Sequence, residues 1–104
     1  MAAEALAASD SGDVTDASIT LLVHAGIAAA DAICCTRLGQ HTQGDSHHDA
    51  VALVGRVDRR HARNLQTLLD LKTKSGYASV PSSTADRLRA ARAARQLVEA
   101  AEAL

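Results

Sequence analysis

Two polar residues stand inside the most apolar stretch of the chain. His24 and Asp31 lie within Asp16–Leu38, whose middle reads ASITLLVHAGIAAADAICCTRL. Seven residues is close to two helical turns, so on a helix both side chains project from nearly the same face, and Thr20 and Cys35 extend that line. An imidazole and a carboxylate so placed can bind a polar ligand in a cleft or at a dimer seam, or be satisfied as structural groups by neighbouring helices. A buried carboxylate left unpaired costs several kcal/mol. If Asp31 is buried it therefore calls for a cation, and Lys72 and Lys74 are the first to test.

Cys34, Cys35, His41, His47 and His48 are metal-ligand types. Adjacent helical residues point about 100° apart, so the two thiols diverge. No C-x-x-C or H-x-x-x-H pair preorganises a tetrahedral site. His47 and His48 fall in a helix first turn, where the dipole disfavours added positive charge. No metal and no cofactor are expected. The same divergence makes a Cys34–Cys35 disulfide geometrically poor, and both are read as reduced core thiols of a cytoplasmic protein.

Arg56, Arg59, Arg60, His61 and Arg63 form a basic cluster diluted by Asp58, and Arg87, Arg89, Arg92 and Arg95 form a second band. Such runs are either solvated faces or contacts to a phosphate backbone. Arg56 and His61 also make a literal Arg-x4-His at a junction between two helices. No nucleophile elbow, Walker loop or dinucleotide-binding glycine pattern occurs.

The elements that must position these groups are helices throughout. Residues 1–14 lack a sustained apolar period and read as a disordered tail. A first helix starts near Thr15 or Asp16. It carries Ile19, Leu22, Val23, Ile27, Ala30, Ile33 and Cys34 at helical spacing, with Leu21 and Ala29 widening the apolar arc until the helix is mostly surrounded by protein. Gly39 ends it. Ser46 and Asp49 sit in capping-box spacing before a short second helix, His47 to about Gly55. Asp58 caps a third helix whose inner face is Ala62, Leu65, Leu68 and Leu69, with an end near Gly76. Ser83 and Asp86 open a fourth, with Leu88, Ala91, Ala94, Leu97, Val98 and Ala101 inward. No segment alternates with period two. The fold expected is all-α, a four-helix up-and-down bundle over residues 15–104.

Composition agrees with one domain and a thin core. The 104 residues are 47% hydrophobic but 1% aromatic, with no Trp or Phe, so much of the apolar character is alanine, which buries little area. A thin core favours burying further surface in an oligomer. The formal net charge of −1 gives no global attraction to nucleic acid or to an anionic membrane. The run from Ile19 to Cys35 is long enough to suggest a membrane span, but His24, Asp31 and the many alanines argue against one. The first eighteen residues carry no basic leader, and no signal peptide is expected.

Across residues 16–104, AGIAAADAICCTRLG, GDSHHDAVALV and LLDLKTKSGYASVPSSTADRLRAARAARQLVEAA resemble the HEPN superfamily, and in particular its small stand-alone bacterial members. The resemblance implies a dimeric helical bundle. Family members include metal-independent ribonucleases and toxins of toxin–antitoxin pairs, with a catalytic Arg, four to six residues, then His near the dimer axis. At the matching place this chain has Lys72 and then Tyr77. Lysine lacks the bidentate fork of arginine, and a phenol is a poor base at neutral pH. The resemblance therefore implies a non-catalytic, HEPN-like homodimer that binds RNA, a nucleotide or a partner protein. Lys72, Lys74 and Tyr77 would line its site, with Asp31 and His24 behind them. The alternatives are a metal-independent endoribonuclease toxin and a purely structural dimerisation module.

Overall fold

A computed structural model describes the backbone of residues 11–40, 46–77 and 83–104, and the side chains of 17–40, 46–73 and 83–104. Four helices follow one another: α1 (Ser11–Leu38), α2 (His47–Gly55), α3 (Arg59–Tyr77) and α4 (Thr84–Glu102). α1, α3 and α4 pack on one another, and α2 lies against α3 and, more lightly, α1. α3 runs antiparallel to both of its long neighbours, giving the up-and-down arrangement. The described residues contain no strand.

The helix ends follow the chemistry of their caps. Ser46 Oγ accepts from the Asp49 backbone N–H at 3.2 Å and opens α2. Asp58 precedes α3 and accepts from the Arg60 backbone N–H at 2.7 Å. At α4, Ser83 Oγ accepts from the Asp86 N–H at 3.1 Å while the Asp86 carboxylate accepts from the Ser83 N–H at 3.2 Å, a reciprocal capping box. α1 stops at Gly39, whose φ of +68° suits glycine, and whose N–H reaches back to the Cys35 carbonyl at 3.0 Å.

α1 begins at Ser11, four or five residues before Thr15 or Asp16, so 11–14 are helical and not part of a tail. Once Ile19 and Val23 anchor the helix, each residue added backwards gains a hydrogen bond, and no proline stops it. Residues 1–10 lie outside the described residues. α3 closes at Tyr77, one residue past Gly76.

The core is aliphatic. Ile19, Val23, Ile33, Val54, Leu65, Leu68 and Leu97 are its large, fully buried side chains. Small residues let the long helices approach closely. A Cβ built on Gly26 would collide with Leu68 Cδ1 and lie 3.4 Å from Leu97 Cδ1, so α3 and α4 both lean on the bare backbone of α1 at that level. On α4 the buried line runs Asp86, Ala90, Ala93, Ala94, Leu97. Leu88, expected inward, is 54% exposed. It lies two residues from Ala90 and hence more than half a turn away from it.

α1 departs most from expectation. It is not surrounded by protein. Leu21 is 70% exposed, and His24, Ala25, Ala28, Ala32 and Cys35 share its open side. The segment Ala17–Leu38 is long and apolar enough to cross a membrane, yet it supplies Ile19, Val23, Ala29, Ala30, Ile33 and Cys34 to the core of the bundle.

Gly26→Val should destabilise the bundle by about 1–3 kcal/mol, because the added carbons displace Leu68. Urea unfolding followed by circular dichroism reads this, and an unchanged midpoint would mean that α3 and α4 do not close over Gly26.

Candidate functional site

Among the described residues singled out around the polar line of α1, Asp31 and Lys72 do not meet. His24 is exposed and Asp31 is half-buried. Lys72 is half-buried on α3. Gly26 meets Leu68, and from that level Asp31 lies five residues toward one end of the bundle and Lys72 four toward the other. At 1.5 Å per residue the two are about 13 Å apart along the axis. No hydrogen bond or ion pair joins Lys72 to Asp31 or His24. Lys74 and Tyr77 belong to the helical backbone of α3, but their side chains lie outside the described residues.

Asp31 instead neighbours the thiols. Cys34 is buried and Cys35 exposed, and neither forms a disulfide. Cys35 is thus not the core thiol expected. Burial pushes the Cys34 thiol above its ordinary pKa of 9.0, and the negative charge of Asp31 adds to the rise, opposed by Arg56. Among the described residues no three His, Cys, Asp or Glu gather as metal ligands. His47 and His48 are exposed at the start of α2, and His41 lies outside the described residues.

What the fold does bring together lies along α3 and α4. Arg60 clamps Asp58 through its guanidinium, with Nη2 donating at 2.9 Å and Nε donating to both carboxylate oxygens at 3.3 Å. These hydrogen bonds hold the Asp58 carboxyl down to about 2, against an ordinary 3.8. The support this gives to the first turn of α3 is complete above the unfolded value and fades as pH falls toward 2. His61, beside the pair, borders two open clefts. One, of about 480 Å³, lies between Ile33, Arg37, Val57 and the end of α4. The other, of about 580 Å³, is lined by Arg60, Asn64, Gln96, Glu99 and Ala100. Nδ1 of His61 is buried without a partner. Arg56 lines neither cleft, so the literal Arg-x4-His does not share a site there.

The second cleft continues along the α3–α4 groove. Asn64 Nδ2 donates to Gln96 Oε1 at 2.9 Å across it. Beyond that bridge lies a further hollow lined by Asn64, Thr67, Arg89, Arg92 and Ala93. This groove was not foreseen. Its only signal was the three- and four-residue spacing of Arg60, Asn64 and Thr67 on one helix and of Arg89, Arg92 and Gln96 on the next. Which of those outward residues face each other depends on the register of α3 against α4.

No protein-family model matches the chain, and no curated protein or solved structure matches it.

The two thiols should differ in reactivity by at least tenfold. Ellman's reagent should titrate Cys35 promptly and Cys34 only as the protein unfolds, since thiolate and access are both suppressed there. Equal fast rates would mean that α1 does not bury Cys34.

Proposed function

We propose that the protein is a non-catalytic, cytoplasmic helical binding module that works as a homodimer, with the open face of α1 as its seam. The carrying observation is the exposure of Leu21 on a largely apolar helix whose faces differ little in polarity. A helix of that kind is ordinarily enclosed by protein. The HEPN resemblance supports the same kind of molecule.

The face suits a second copy. Ala17, Leu21, His24, Ala28, Asp31 and Cys35 alternate spacings of four and three, the period of a two-helix seam. Ala25, Ala28 and Ala32 allow close backbone approach. His24 and Asp31 are equidistant from a point between Ile27 and Ala28. A two-fold axis there, with the helices antiparallel, sets His24 of each copy opposite Asp31 of the other. An imidazole N–H can donate to a carboxylate whatever the charge of the ring. Two such contacts fix register and orientation. On this reading His24 and Asp31 serve the seam, and a pocket with Lys72 is not needed.

Sedimentation tests it. The wild-type chain should run at about twice its 10.8 kDa mass at tens of micromolar. Leu21→Arg should run as a folded monomer whose melting temperature no longer rises with protein concentration. His24→Asp should weaken the dimer at least tenfold by opposing carboxylates, and His24→Asp with Asp31→His should restore it. A monomeric wild type, or no rescue by the swap, contradicts the seam.

A further inference from the structure

The groove between α3 and α4 joins guanidinium groups to a polar centre, and its geometry selects a class of ligand. Arg60 and Arg92 each lie four residues from the Asn64–Gln96 bridge. The helices run in opposite directions, so the two arginines stand on opposite sides of the bridge, about 12 Å apart along the groove. Arg89 is one turn beyond Arg92 and is held only loosely by Asp86, at 3.8 Å. The alanines of the lining, Ala93 and Ala100, keep the floor low.

We infer that this groove binds a single-stranded nucleic acid, with phosphates on Arg60, Arg92 and Arg89 and a base edge at the amide bridge. Arginine forks match phosphate oxygens in pairs. Arg60 spends Nε and Nη2 on Asp58, which leaves Nη1 and the rest of Nη2 for a phosphate. The bridge uses one amide hydrogen of Asn64 and the carbonyl oxygen of Gln96. Asn64 Oδ1 therefore remains as an acceptor and Gln96 Nε2 as a donor at the bridge. That pair matches the mixed donor and acceptor pattern of a base edge. An acidic peptide offers carboxylate acceptors, which suit the arginines but bring no side-chain donor to Asn64 Oδ1. Glu99 closes the groove beside Arg60 and directs a polyanion toward Arg92 and Arg89.

His61 is the one aromatic ring among the groove's lining residues, at the Arg60 end, so stacking is confined to that end and affinity rests mainly on phosphate contacts. Three such contacts on a single strand give a slope of about −2 in log affinity against log salt. Raising salt from 50 to 200 mM should then weaken binding about fifteenfold. The site lies within one protomer and does not depend on the α1 seam, so the monomeric Leu21→Arg variant tests it separately.

The experiment is fluorescence anisotropy with the full chain and labelled ten-nucleotide RNA and DNA single strands, with a duplex and a deca-glutamate peptide as competitors. Both single strands should bind at 50 mM salt. Arg89→Glu with Arg92→Glu should weaken binding at least tenfold, whereas Arg95→Glu, exposed on the same helix outside the groove, should change it less than twofold. Asn64→Leu should reduce discrimination between adenine-rich and uracil-rich strands. The proposal is overturned if neither strand binds, if Arg95→Glu matters as much as the groove pair, or if the duplex or the acidic peptide displaces the strand as readily as the strand itself.

Discussion

The whole arrangement rests on close packing against α1 at Gly26. Leu68 from α3 and Leu97 from α4 meet over a position with no side chain. With no Trp or Phe and a single Tyr, the chain cannot fill a wide space between helices. It brings the backbones together instead, with Gly26, Ala29 and Ala30 on α1 and Ala90, Ala93 and Ala94 on α4 buried at the contacts. Narrow contacts bury little area per residue, so a largely apolar helix is covered on only one side. The open side of α1 follows from the alanine-rich core.

That division sets the character of the two outer surfaces. On α1 the uncovered side is apolar and small, interrupted at symmetric positions by His24 and Asp31. On α3 and α4 the outward edges are polar, and they enclose arginines and amides in a groove. The proposed self-association and the proposed ligand binding therefore draw on different faces. At one end of the groove a carboxylate, Asp58, held ionised by Arg60, fixes the first turn of α3 and so the position of Arg60 at the groove mouth.

Helix ends were legible in the sequence because caps are local chemistry. Ser46, Asp58, Ser83 and Gly39 each act within four residues of themselves, and each ends or begins a helix where its type implies. The inner face of α3 was legible too, since Leu65, Leu68 and Leu69 stand against Arg59, Arg63 and Asp70 in a clear contrast. α1 offered no such contrast. The helical spacing put Ile19, Val23, Ile33 and Cys34 on one stripe, and they are buried, but with apolar residues beside that stripe it could not tell that Leu21 is left uncovered. On α4 the only leucines were Leu88 and Leu97, and alanines on every side concealed that the buried line passes through Ala90 and Ala93. The pairing of Asn64 with Gln96 lies 32 residues apart in sequence and depends on helix register. The polar line of α1 was legible as a line, but its distance from Lys72 was not.

The central claim is that the uncovered face of α1 meets its own copy about a two-fold axis between Ile27 and Ala28. Disulfide trapping reads that axis directly. In a Cys35→Ser background, Ala28→Cys should cross-link nearly all of the protein into a covalent dimer under mild oxidation, because the residue faces itself across the axis. Leu21→Cys in the same background should not, since its two copies would stand about 20 Å apart. A monomeric Ala28→Cys protein, or equal cross-linking at the two positions, would contradict the account.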